Sequence, residues 1–247
     1  MPVKSRTIRI ELTIVLAITF GLSAVTAALQ LIDFTIRGLA GQRVALNPRR
    51  SYYDAIDAGL HLASIAQLVA WGALAVYLLW RSGIGPRAIG LGRFRAVPDL
   101  LGGLGLAALI GIPGLGLYFL ARRLGLAAEV VPAPTGAHWW LIVLLIAAAI
   151  ANAWAEEVVV VGYLITRLEQ LRVRPWLAQG ASAVLRGTYH LYQGFGAGLG
   201  NLVMGLVFGC AWRRTGRLWP LIVAHAVIDI VAFVGYALLA NRAGWLR

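Results

Sequence analysis

Glu156 and Glu157 stand side by side in an apolar run. Upstream, Trp139 to Ala151 carries no charge, and downstream come Val158, Val159, Val160 and Val161. An ionised carboxylate taken out of water loses its hydration, so it persists only when paired, neutralised or set against a polar cavity. Two in succession gain a purely structural helix nothing, which makes them candidates for chemistry or transport. Four more ionisable side chains lie in later apolar segments: Arg186 and His190, and then His225 and Asp229. Each pair is spaced i, i+4 and shares one face of a helix. Polar groups inside a membrane seek one another or water. Convergence of the three pairs on one site is therefore expected.

A glutamate with a histidine can deprotonate a water, and a second histidine with its neighbour can stabilise an oxyanion. That set suits peptide-bond hydrolysis without a serine or cysteine nucleophile. The same residues allow an alternative, since Glu156, His190 and His225 could ligate a divalent metal such as zinc, which would activate its water. The His-Glu-x-x-His signature is absent, so any metal site would be assembled from separate helices. Two readings from other classes use the same residues. One is a proton-coupled transporter and the other a non-catalytic immunity or scaffold protein. His61 and His138 read more simply as hydrogen-bonding helix residues.

The elements that must position these groups are membrane helices. The chain has 247 residues, 60% hydrophobic and 13% charged, with a mean hydropathy of +0.78. A soluble domain carries about 25% charged residues, and a bilayer crossing takes about 20 residues. Apolar runs at Ile10–Ile32, Asp54–Trp80, Asp99–Leu120, Trp139 to about Leu171, Trp176–Tyr192, Gly196–Trp212 and Leu218–Leu239 predict an all-α transmembrane bundle. It would have seven or eight spans, with its polar site inside the membrane. The first run is too long for the core of a signal peptide. Gly111-Ile112-Pro113-Gly114 predicts a kink or re-entrant break in the third span. The fourth run exceeds one crossing, so one long helix or two helices meeting near Glu156 would both fit. His138, Trp139 and Trp140 resemble an interfacial anchor. Residues 1–138 would supply three spans and residues 139–247 the chemical core, together one membrane domain.

The net charge of +12 falls in short clusters between apolar runs, which is the pattern of topology signals rather than of a nucleic-acid stripe. With the N-terminus inside, the cytoplasmic segments hold the larger share of the cations, among them Lys4, Arg6, Arg9, Arg87, Arg93, Arg95, Arg167, Arg213 and Arg214. The expected setting is a cell membrane with a cytoplasmic N-terminus. Membrane lipid and a membrane-associated peptide or protein would be the partners, and no nucleic acid. Cys210 is the single cysteine, so no disulfide can form within the chain, and it reads as a small core residue.

Three ordered motifs resemble those of the CPBP family of intramembrane proteases, which includes the type II CAAX prenyl endopeptidases. The Glu-Glu-x-x-x-Arg motif followed by Gly-Tyr-Leu corresponds to Glu156 through Leu164, Phe-x-x-x-His to Arg186 through His190, and His-x-x-x-Asn/Asp to His225 through Asp229. The resemblance implies Glu156 as the water-activating base with His190 as its partner. It places His225 and Asp229 at the scissile carbonyl, and Glu157 behind them. Two positions depart from the pattern: Val161 stands where the motif has arginine, and Arg186 where it has phenylalanine. Arg186 is expected to supply from the neighbouring span the cation that Val161 lacks.

Overall fold

The first apolar run does not fold as one straight helix. In the computed structural model, which describes residues 5–131 and 139–235, it is split into α1 (Ser5–Ile18) and α2 (Phe20–Ile36), bent by 51° about Thr19. Thr19 leaves the helical region at φ −118 and ψ −114, and its hydroxyl donates to the Val15 carbonyl at 2.7 Å. Such back-bonding competes with the helix ladder and bends it. A Cβ at Gly21 would lie 2.6 Å from the Leu16 carbonyl oxygen, so glycine is what permits the elbow to close.

Two uninterrupted helices follow, α3 (Asp54–Arg81) and α4 (Ala96–Arg123). The break expected near Pro113 is absent, and α4 runs through it. A proline removes one intrahelical bond, but here the helix is braced on both sides of it. Gly103 packs on Val223, and Leu117 on Gly200. Two three-residue strands join the connecting segments, β1 (Arg43–Ala45) and β2 (Glu129–Val131), paired in parallel with Arg43 opposite Glu129. No sequence pattern announced them.

The fourth run forms one helical path of 32 residues, Trp139–Gln170. It comprises α5 (Trp139–Glu156), a π-helical stretch (Glu157–Tyr163) and α6 (Leu164–Gln170). The valines of the π stretch are wholly buried and form the centre of the apolar core. Around them pack α7 (Pro175–Tyr189), α8 (Phe195–Thr215) and α9 (Trp219–Ile230), which continues as a π turn through Val231–Gly235. Facing outward are many aliphatics, among them Ile14, Leu109, Ile112 and Val143, as a lipid-facing surface requires.

The span count differs from the seven or eight expected. Among the described residues four helices are long and apolar enough to cross, or five when α1 and α2 count as one bent span. The segments expected as spans five and seven are shorter. α7 has 15 residues, and the described part of the last run is Trp219–Gly235. At about 1.5 Å of rise per residue α7 falls short of the hydrocarbon thickness, and it ends just before His190. His138 and the chain beyond Gly235 lie outside the described residues.

Some charges read as topology signals are structural. Arg167 is fully buried, donates to Glu11 at 2.8 Å and also holds Ser82, Gln170 and the Leu78 carbonyl. It ties α1 and α3 to α6. Arg217 grips Asp99 with two nitrogens at 2.7 and 2.5 Å. Cys210 is exposed rather than in the core, and its sulfur accepts from Gln179 at 3.2 Å. His61 is buried on α3 beside Asp57 of the same helix, at 3.9 Å, rather than bridging two helices.

Candidate active site

Adjacent side chains on an α-helix point about 100° apart, so two consecutive glutamates cannot reach the same spot on one neighbour. Here they reach opposite sides of one ring. Glu157 Oε1 lies 2.7 Å from His225 Nδ1, and Glu156 Oε2 lies 4.0 Å from His225 Nε2. The helix changes to π winding immediately after Glu156. π turns free backbone carbonyls and recur at functional sites. Two of the carbonyls along this stretch are satisfied from side chains: Val160 accepts from Ser182 of α7 at 2.7 Å, and Gly162 accepts from Thr166 at 2.6 Å.

Glycines let α7 approach α8 closely enough to aim its polar residues inward. A Cβ at Gly187 would come within 2.8 Å of the Gly198 carbonyl, and one at Gly205 within 2.8 Å of Ala183 Cα. From this face Arg186 projects between the two glutamates, with Nη2 at 2.6 Å from Glu157 Oε1 and Nη1 at 3.7 Å from Glu156 Oε2. Its guanidinium also lies over the Phe208 ring. Both Arg186 and Glu157 are fully inaccessible, and Glu156 is 3% exposed.

Each oxygen of Glu156 has a donor. Tyr189 donates its hydroxyl to Oε2 at 2.5 Å, and Asn152 donates Nδ2 to Oε1 at 3.1 Å. Asn152 also donates to Asp229 Oδ2 at 2.9 Å, and that same oxygen lies 3.5 Å from His225 Nε2. His190 sits at the end of α7 with Nδ1 3.0 Å from the Arg186 carbonyl, so Nε2 is the nitrogen left to act. Its ring lies against those of Tyr189 and Tyr192. Exposure rises along the cluster, from the buried Glu157 and Arg186 to the half-buried Asn152, His190 and Asp229.

The structure thus gathers Glu156, Glu157, Arg186, His225 and Asp229 through direct contacts, with His190 one turn from Arg186 on the same helix. Two participants had not been singled out from the sequence, Asn152 and Tyr189. Asn152 precedes Glu156 by four residues, and that spacing was the available signal. Tyr189 had only its adjacency to His190.

The residues do not fit the zinc alternative. Among those described, no group of three or more His, Cys, Asp or Glu side chains is placed to hold a metal ion. The Arg186 guanidinium adds a positive charge beside both glutamates, where a divalent cation would be repelled.

A bundle of apolar helices closed around carboxylates, imidazoles and a guanidinium defines an integral membrane protein with a polar centre at its core. Residues 138–231 match the family model for type II CAAX prenyl endopeptidase Rce1-like proteins, a stretch that holds all three motifs. No curated protein and no solved structure matches the chain. Over residues 138–231 the chain is similar to the CPBP/CAAX protease family, a match that supports the general class of CAAX-type intramembrane endopeptidases.

Proposed function

We propose that the protein hydrolyses a peptide bond of a membrane-associated substrate, either lipidated or short and hydrophobic, with a water activated by Glu156. The observation that carries this reading is the position of Glu156: a buried carboxylate whose oxygens are fixed by Asn152 and Tyr189, with His225 4.0 Å away. Pre-positioned groups of this kind lower a barrier because they need no reorganisation when charge develops.

In this scheme Glu156 takes a proton from water as the water oxygen bonds to the scissile carbonyl carbon. The π pair of the C=O bond moves to its oxygen, which is received at His225, at the point that Asp229 Oδ2 holds in the resting site. His190 borders the attacking water through Nε2. Collapse of the intermediate re-forms the carbonyl and breaks the C–N bond, and the proton passes from Glu156 to the departing nitrogen. Glu157 and Arg186 balance charge behind the reacting groups. No step is routed through a metal. The chain sits in a cell membrane with its N-terminus on the cytoplasmic side, residues 1–138 framing the core that residues 139–247 supply.

The test uses full-length protein purified in detergent and a fluorogenic peptide library with lipidated and unlipidated members. Wild type cleaves members of the library, and Glu156→Gln abolishes cleavage without unfolding the protein. Equal cleavage by both proteins would overturn the hydrolase reading. A transporter would instead lose proton-dependent uptake in Glu156→Gln, and a scaffold would lose nothing.

A further inference from the structure

We propose that Asn152 and His225 together bind the negative oxygen of the tetrahedral intermediate, and that Asp229 occupies this position in the resting enzyme. The assignment rests on the hydrolase reading above and names a catalytic residue that none of the three motifs contains.

Two nitrogens from different helices converge on one oxygen: Asn152 Nδ2 at 2.9 Å and His225 Nε2 at 3.5 Å from Asp229 Oδ2. An oxyanion site requires donors about 3 Å from one point; Asn152 already hydrogen-bonds the oxygen there, and the His225 ring stands beside it as an ion-pair contact. Asp229 cannot itself be a donor there, because an ionised carboxylate only accepts, and its charge would repel a second anion. Both His225 nitrogens face carboxylate oxygens, Glu157 Oε1 at 2.7 Å and Asp229 Oδ2 at 3.5 Å. A ring that carries N–H on both nitrogens can donate to each of them. The site therefore holds a two-donor anion cradle with an internal anion in it.

The location suits the reaction. The Asn152 amide also touches Glu156 Oε1 at 3.1 Å, so a water held by Glu156 stands next to the point where the donors converge. Attack on a carbonyl carbon demands that proximity between nucleophile and carbonyl oxygen. α5 and α9 pack against each other. Asn152 lies one turn before Glu156 on the first, and Asp229 one turn after His225 on the second. Both are half-buried, while Glu157 and Arg186 are inaccessible. A substrate carbonyl entering from this more open end meets the cradle first.

In the step itself, the water oxygen bonds to the carbonyl carbon and the C=O π pair moves onto the carbonyl oxygen. That oxygen takes the place of Asp229 Oδ2 between the two N–H groups. The water proton goes to Glu156 and later to the leaving nitrogen as the C–N bond breaks.

The experiment uses the detergent-purified full chain, a cleaved peptide from the library, and a phosphinate analogue of that peptide as the tetrahedral probe. Retained cleavage in Glu156→Gln overturns the hydrolase reading and this assignment with it. With cleavage lost in that variant, Asn152→Ala should lower kcat by about 100-fold to 1,000-fold, the usual cost of one oxyanion donor. KM should move less than about threefold, because the interaction is made only in the transition state. Phosphinate binding should weaken in step with kcat, while binding of the uncleaved peptide to the Glu156→Gln background stays level. Asn152→Asp keeps the volume and replaces the donor by an acceptor, so a loss of kcat there with an unchanged melting temperature separates chemistry from folding. Asp229→Asn should tighten the phosphinate by about tenfold, since a competing charge is gone. An Asn152→Ala enzyme with kcat within about threefold of wild type, or an Asp229→Asn enzyme that binds the phosphinate more weakly, would overturn the assignment.

Discussion

Arg186 stands between the two glutamates, with Nη2 2.6 Å from Glu157 and Nη1 3.7 Å from Glu156. It occupies the place of the motif phenylalanine, while the place of the motif arginine is Val161, itself wholly buried among aliphatics. The cation that neutralises the second glutamate thus comes from α7 rather than from the glutamate's own helix. Removing one member of a buried ion pair leaves an uncompensated charge, which costs about 3–5 kcal/mol. Arg186→Met and Glu157→Gln should each destabilise the protein on that scale, and the double variant should recover much of the loss. Thermal unfolding of the four proteins in detergent measures this cycle. Additive losses would mean that the two side chains are not coupled.

Tyr189 is expected to act through Glu156. Its hydroxyl donates to the carboxylate at 2.5 Å, while its ring packs on Phe20 with centroids 5.0 Å apart. Tyr189→Phe keeps the ring and removes only the hydrogen bond. A hydrogen bond to a charged group is worth about 1.5–3 kcal/mol, so kcat should fall by about 10-fold to 150-fold with the melting temperature near that of wild type. Tyr189→Ala should lose stability as well. Steady-state kinetics beside melting curves tells the two variants apart.

The i, i+4 pairs were legible because a helix repeats every 3.6 residues and spacing alone puts Arg186 with His190 and His225 with Asp229 on shared faces. The π winding was not legible. Val158 to Val161 suit an α-helix, a strand or a π turn equally, and the feature that supports the π form, Ser182 donating to Val160, is a contact between segments 22 residues apart. The bend at Thr19 was hidden for a similar reason, since no proline marks it. Arg167 misled because a cation near the end of an apolar run looks like a topology signal, whereas its partner Glu11 lies in the first helix. The length of α7 was overestimated because the apolar run continues past Tyr189, although the helix does not.

Chelation should leave activity intact. Arg186 places its positive charge 3.7 Å from Glu156 and 2.6 Å from Glu157, where a divalent cation at either carboxylate would be repelled. The expected outcome is full cleavage after prolonged EDTA treatment and no stoichiometric zinc by elemental analysis. Activity that vanished with EDTA and returned with zinc would require the cluster to rearrange around a metal.

The elbow between α1 and α2 should matter to the chemistry as well as to the fold. Phe20, the first residue after the bend, packs edge-on against Trp71 and lies against Tyr189, which in turn holds Glu156. Gly21 allows that geometry, because a Cβ there would sit 2.6 Å from the Leu16 carbonyl oxygen. Gly21→Ala must therefore open the bend or shift the helix, and overpacking of this kind costs about 1–3 kcal/mol. As the elbow opens, Phe20 moves off Tyr189 and the hydroxyl loses its fixed approach to the carboxylate. The variant should melt at a lower temperature, and its kcat should fall further than that of a stability-matched control such as Leu79→Ala in α3, with KM little changed. A kcat equal to that of the control would confine the elbow to a packing role.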